Sequence, residues 1–210
     1  MNVLSVNIGT AEPIQAKSGR SGIFKRPASG PVRVGTLGLV GDHIVDTESH
    51  GGPEQAIYVF TQPDYDHWSE RLGQTLATGT FGENLLISDL ESASLAIGER
   101  LRIGSVLLEI TSARIPCVTL AVRMNDPEFV KTFRQVRRPG FYARVLEEGE
   151  VAAGQPFQLE GRLPVGGASV LDSFEYFYAK TPPSALLQRL LDAPIHEKLR
   201  SELTEKFGTA

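Results

Sequence analysis

Leu95-Ala-Ile-Gly-Glu-Arg-Leu-Arg-Ile-Gly-Ser-Val-Leu-Leu-Glu-Ile-Thr111 is the stretch on which the reading of the fold turns. Residues 106–111 are rich in branched side chains and alternate in part, the pattern of a strand half or wholly buried in a sheet. Residues 95–97 read the same way. Gly98 and Gly104 punctuate the stretch as turns, so it predicts short strands joined tightly, with no room for a crossover helix. The same grammar continues on both sides. Val3 to Ile8 reads as a first strand, 18–30 as a loop rich in Gly, Ser and Pro, and 32–34 as extended chain. Gly35, Gly38 and Gly41 mark a turn-rich passage. Residues 56–60 form a buried-strand pattern, 141–146 another, and 157–159 close the β-rich part.

Helical signals are few until late in the chain. Residues 64–72 place Tyr65, Trp68 and Leu72 at helical spacing, with Pro63 near the start and Gly73 able to cap the end. Asp126-Pro127-Glu128 predicts a helix start, with an N-cap, proline at the first position and an acidic first turn. Beyond a linker at 161–167 come three helical patterns. Val170, Phe174, Phe177 and Tyr178 share a face. Pro182-Pro183-Ser184 opens the second, which carries Leu186, Leu187, Leu190 and Leu191. Ile195, Leu199, Leu203 and Phe207 recur at four-residue steps. The expectation is a mainly β (α+β) chain: a closed or nearly closed β-barrel over 1–161, then a three-helix extension over 162–210. Periodicity alone does not separate a barrel from a sandwich.

Composition bounds the function. A chain of 210 residues, 41% hydrophobic and 22% charged, can bury a sizeable core. No run approaches the ~20 apolar residues that span a bilayer. The segment Met1-Asn-Val-Leu-Ser-Val6 has neither a basic region nor a cleavage site, which predicts no signal peptide and no membrane partner. One cysteine suits a reducing compartment, so the cytoplasm is expected. A net charge of −4 argues against stable nucleic-acid binding. Lys25, Arg26, Arg33, Arg114, Arg123, Arg137 and Arg138 nevertheless lie near the short motifs described next. They are either scattered solvated charges or a basic pocket for a small anion.

Cys117, the sole cysteine, lies in Thr111-Ser-Ala-Arg-Ile-Pro-Cys117. Read from the residues alone it is a small buried side chain, a nucleophile or a soft metal ligand. Arg114 would stabilise its thiolate. An extended Ile115-Pro116-Cys117, however, would put the two on opposite faces, and only a bend at Pro116 would bring them together. Lys25 and Arg26 are a solvated pair or anion ligands. His50-Gly51-Gly52 is a turn or a close approach to a ligand, with His50 a candidate proton donor. Phe81-Gly82-Glu83-Asn84 is a turn or a site at which the Asn84 amide meets a ligand. Asp42 and Glu83 have no assigned role; His43 and His67 are weaker candidates than His50. Zinc spacing, the Walker glycine pattern and the dinucleotide glycine pattern do not occur. A Cys117–His50 nucleophilic pair stays open.

In order, Gly22-Ile-Phe-Lys25, Gly38-Leu-Val-Gly-Asp42, His50-Gly-Gly-Pro53, Phe81-Gly-Glu-Asn-Leu85 and Arg114-Ile-Pro-Cys117 resemble the MOSC domain, specifically its YiiM-like, hydroxylaminopurine-resistance branch. The resemblance implies a mixed β-barrel with peripheral helices and a C-terminal three-helix tail. It also implies a bound molybdenum cofactor (molybdopterin), with Cys117 as the metal ligand. Cofactor contacts would come from Lys25, Gly51, Gly52, Asn84 and Arg114, with Arg26 added by adjacency, and His50 would be the proton donor. The implied activity is reduction of small N-hydroxylated compounds. No iron–sulfur or flavin signature accompanies it, so electrons would come from a separate reductase. The alternatives are a sulfur carrier using a Cys117 persulfide and a non-catalytic cofactor-binding module.

Overall fold

The structure, a computed structural model, describes residues 1–47, 50–160 and 166–208. The strands are β1 (Val3–Ile8), β2 (Glu12–Pro13), β3 (Arg20–Ser21), β4 (Arg26–Pro27), β5 (Val32–Gly35), β6 (Gly38–Leu39) and β7 (Ile57–Thr61). They continue with β8 (Leu85–Ile87), β9 (Arg100–Ile103), β10 (Val106–Ala113), β11 (Phe141–Glu147), β12 (Gly149–Val151) and β13 (Phe157–Glu160). The helices are α1 (Gln62–Leu72), α2 (Val118–Arg123), α3 (Phe129–Val136), α4 (Val170–Tyr178), α5 (Ser184–Asp192) and α6 (Glu197–Phe207).

β10 is buried at all eight positions, which is why its sequence reads as a nearly continuous apolar run. It pairs antiparallel with β9 on one side and β11 on the other. Its one carboxylate, Glu109, is buried and held by Arg100 at 2.9 Å, so the strand tolerates it. The main sheet runs β13-β9-β10-β11-β7-β8-β1-β4, with one parallel pair, β7–β8. A three-stranded sheet, β12-β5-β6, and a two-stranded one, β2-β3, flank it.

This corrects the expected mainly β barrel. The edges of the main sheet, β13 and β4, do not pair with each other. Where the start of β1 approaches β13 there is an isolated bridge, Asn2 to Pro156, with a few flanking backbone hydrogen bonds, and no ladder between the two strands. With six α-helices among the described residues, the chain is a mixed α/β fold with open sheets. Glycine turns and short strands specify neighbours along the chain. Closure depends on hydrogen bonding between edges far apart in sequence, which no local pattern carries.

Nor do the last three helices form a separate tail. Phe174 of α4 lies 6.5 Å, centroid to centroid, from Phe133 of α3, which stacks on Trp68 of α1 at 5.3 Å. Leu190, Ile195, Leu199 and Leu203 belong to the same contiguous buried cluster as Val3 and Val6. The Ser173 hydroxyl accepts the Ala113 N–H of β10 at 2.9 Å. Residues 95–97, expected as a strand, instead join this contact: Ile97 N–H donates to Ala168, and Val170 N–H to Leu95, both at 2.8 Å. The strand falls at β9, nearer the Gly104 turn. α2 had no sequence signal. α3 starts two residues later than expected, because the Asp126 carboxylate accepts the Glu128 N–H at 2.9 Å and holds a turn there. Residues 161–165, which contain the expected boundary and most of the linker, lie outside the described residues.

Candidate functional site

β10 delivers the chain to the site. Regular strand ends at Ala113, residues 114–116 are irregular, and Cys117 caps α2. Because no strand continues past 113, alternation no longer applies. Arg114 and Cys117 both line one cavity of about 110 Å³. With them are Lys25, Asp42, His50, Gly51, Tyr58, Asn84 and Tyr142, so four of the five motifs reach the cavity through residues with assigned roles, and the fifth brings Asp42.

The cysteine is prepared as a thiolate. Burial raises its pKa, but the His50 hydrogen bond, the Arg114 charge and a hydrogen bond from the Leu120 backbone outweigh it and bring the thiol down to about 6. The same bond raises His50, chiefly through Cys117 against the opposing effect of burial. Asp46 lies 3.5 Å from Nδ1 of His50. Thiolate and imidazolium thus stabilise each other.

Arg114 is 4% exposed, and its guanidinium lies 5.7 Å from the ring centroids of both Tyr58 and Phe133. Tyr142 hydrogen-bonds to it. Nη1 is buried with no hydrogen-bond partner, an arrangement that costs free energy unless an anion or polar group completes it.

Lys25 and Asn84 are differently placed. Lys25 Nζ is paired with Asp42, each side chain being 7% exposed. Asp42 also accepts from Asn84 Nδ2 and from the Gly9 N–H, both at 2.8 Å. The Asn84 carbonyl oxygen accepts the Tyr58 N–H at 3.1 Å. Lys25, Asp42 and Asn84 therefore form a buried clamp that ties three loops together, and the Lys25 charge is already balanced within the wall. Asp42, left without a role by sequence reasoning, is its centre. The clamp requires the Gly22 turn to pass close to His43: a Cβ on Gly22 would lie 1.8 Å from the His43 carbonyl oxygen.

Arg26 lies outside the cavity, exposed and paired with Glu12. Gly51 has φ 77°, and a Cβ there would press on Ile44 at 2.7 Å. Gly52 lines a neighbouring hollow with Pro53 and His196. Glu83 is fully buried and accepts from Tyr65 Oη and the Gly79 N–H, both at 2.5 Å, and from the Phe81 N–H at 3.2 Å. It braces the Phe81–Asn84 turn and does not line the cavity. Tyr58 and Tyr142 were missed because each reads as an ordinary buried strand residue; only its place across from Arg114 distinguishes it.

Among the described residues no group of three or more His, Cys, Asp or Glu could hold a metal ion. The donor set therefore fits no bare-ion cage. It fits a metal that arrives with its own ligands and takes one further soft ligand from Cys117. The unpartnered Arg114 nitrogen fits an anionic substituent of such a group.

A family model described as the MOSC domain matches residues 46–158, a span that holds His50, Asn84, Arg114 and Cys117 but not Lys25 or Asp42. The chain is 33% identical over 208 residues to the uncharacterized protein YflK of Bacillus subtilis, covering 98% of this chain and 94% of that one. It is 28% identical over 194 residues to a Gibberella moniliformis protein named "Reductase", covering 90% of this chain but 34% of that protein. Among solved structures, YiiM from Geobacillus stearothermophilus superposes with a TM-score of 0.80 at 27% identity, over 97% of each chain.

Proposed function

Since the chain belongs to the MOSC-domain family, with YiiM-like relatives, we propose that it binds a molybdenum cofactor and reduces N-hydroxylated compounds, hydroxylaminopurine-type bases among them. One observation carries this reading: a thiol held at about 6 and a buried guanidinium nitrogen without a partner line the same cavity. When bound, the cofactor supplies the two-electron chemistry that cleaves an N–O bond.

This chain's own residues do the rest. Cys117 offers a thiolate, and His50 and Arg114 keep it deprotonated at neutral pH. Arg114 Nη1, buried without a partner, would donate to an anionic group of the cofactor. Gly51, Asn84 and Lys25 shape the wall, the last two through Asp42. The proton that N–O cleavage consumes is held on the His50 imidazole, whose pKa the Cys117 hydrogen bond raises against the opposing effect of burial. Arg26, turned away and paired with Glu12, has no part in this. Electrons come from a separate reductase. The Gibberella relative, of which the present chain spans about a third, carries the name "Reductase", which suits such a pairing. No described helix is long and apolar enough to cross a membrane.

A second reading is favoured by the same thiolate: Cys117 carries a sulfur atom as a persulfide. Protein made in a host that synthesises the cofactor separates the two. The reductase reading expects molybdenum in the purified protein, reduction of an N-hydroxy substrate with an artificial electron donor, and loss of both in folded Cys117→Ser. A protein free of molybdenum, with a mass increase of one sulfur atom at Cys117, would favour the carrier. Full activity in Cys117→Ser would overturn both.

A further inference from the structure

We propose that Glu54 is a positioning residue: its carboxylate clasps the first turn of α6 to the loop that carries His50, and so keeps the imidazole on Cys117. The proposal deepens the reading above and rests on it only for the part that His50 plays in turnover.

The loop has a joint built into it. Gly51 and Gly52 follow His50 with φ of 77° and 80°. Gly52, with ψ of 172°, sits in a region that essentially only glycine enters, and a Cβ there would meet nothing within 4 Å. Two such residues in succession leave the backbone a wide choice of states. Open space flanks them. A hollow of about 160 Å³ is shared by His50, Gly51 and Gly52 with His196 and Lys198 at the start of α6. A larger cavity of about 590 Å³, lined by Phe177 of α4 and Leu199 of α6, also reaches His50 and Cys117. Upstream, the His50 N–H donates to the Asp46 carbonyl at 3.1 Å, a contact within the same turn.

Long-range contacts converge four residues on, at Glu54. Its backbone carbonyl accepts from Thr111 Oγ1 of β10 at 2.6 Å. Its Oε2 accepts the Glu197 N–H, the first of α6, at 2.6 Å, where the helix dipole favours a carboxylate. Its Oε1 lies 3.3 Å from Arg144 Nη2 of β11, and that nitrogen also donates to the Pro194 carbonyl at 2.8 Å, just before the helix. One carboxylate thus joins the His50 loop to β11 and α6. The largest electrostatic influences on His50 come from Cys117, Arg114 and Asp46, so Glu54 acts through where the loop sits. Proton donors and acceptors work at about 2.6–3.2 Å, and a loop released at Glu54 would lose the His50–Cys117 bond.

The test uses the full chain, made in a host without the cofactor so that the thiol is open. Alkylation of Cys117 by iodoacetamide is followed at pH 5, below its midpoint of about 6, where the rate scales with the stability of the thiolate. Glu54→Ala should slow it about tenfold, the scale of one charge-assisted hydrogen bond. Glu197→Pro should do the same, because it removes the N–H at a helix position that suits proline. The preceding residue, His196, already has φ −67° and ψ 147°, which a following proline tolerates. Glu54→Gln keeps an acceptor oxygen and should lose less than Glu54→Ala. Adding Glu54→Ala to His50→Ala should cost nothing further, since Glu54 acts through His50. Glu147→Ala, which breaks a pair with Arg102 elsewhere, should leave the rate unchanged. A wild-type rate in either Glu54→Ala or Glu197→Pro, or full additivity of Glu54→Ala with His50→Ala, would overturn the proposal. So would equal losses in Glu54→Gln and Glu54→Ala, which would place the effect on Arg144 and not on α6. The readout needs neither molybdenum nor turnover. A protein that behaves as expected here yet reduces no N-hydroxy compound rejects the reductase reading and keeps the clasp, whereas an active reductase whose alkylation is indifferent to Glu54→Ala does the reverse.

Discussion

His50 and Cys117, brought together from separate motifs, share a side-chain hydrogen bond that lowers the pKa of the thiol and raises that of the imidazole. Neither shift would arise in an isolated peptide, where each group titrates at its ordinary value. The pair makes the site chemically prepared before any ligand arrives.

The pH dependence of Cys117 alkylation follows from this pair. The rate should rise with pH around a midpoint of about 6, because only the thiolate reacts and its folded pKa lies well below the usual value. In His50→Ala the midpoint should move upward, since the hydrogen bond is lost while burial still raises the thiol. A pH–rate profile with iodoacetamide checks both. An unmoved midpoint in His50→Ala would show that Arg114 and the backbone alone set the thiolate.

Arg114 should matter to cofactor retention more than any other cation of the site. Its Nη1 is buried without a partner, so a bound anion gains a charge-assisted bond that Arg114→Met cannot make. We expect retention to weaken by about 1.5–3 kcal/mol, measured as molybdenum content over a dilution series. Arg26→Ala, at an exposed position outside the cavity, should leave occupancy unchanged.

Lys25 and Asp42 should behave as a buried structural pair. Removing one partner strands the other, so Lys25→Met or Asp42→Asn alone should cost about 3–5 kcal/mol in urea unfolding. The double variant should recover part of that loss, because no lone charge remains. Strict additivity of the two single effects would show that the ion pair is not what holds these loops.

A chain ending at 161 should be much less stable than the whole. It would leave the N–H groups of Ile97 and Ala113 without Ala168 and Ser173, and would uncover the aromatic face of Phe133 that Phe174 covers. Chemical denaturation with hydrogen-exchange readout should show α4 protected together with β10. Equal stability of the shortened and full chains would support two independent parts divided at 161/162.

Much of this protein is determined by local sequence. The branched run of β10, the apolar runs of β1 and β7, the Gly73 cap of α1 and the spacing of the last three helices each follow from residues within a few positions of one another. Backbone periodicity and turn chemistry act over that range. The ordered motifs likewise identify the family, because residue identity at fixed spacing needs no folded structure to be read.

What only the tertiary structure decided depends on groups distant in sequence. The open sheet in place of a barrel was settled by which edges pair. The packing of α4 to α6 into the main core was settled by Phe133, Ala113 and Ile97 finding partners beyond residue 166. Lys25 and Arg26 are adjacent and chemically alike, yet one is buried on Asp42 and the other lies in solvent on Glu12. Phe174 and Phe177 share a periodic face, yet one fills the core and the other lines a cavity. In each case burial and pairing are set by what the rest of the chain brings to the same place, and a local pattern holds no record of that.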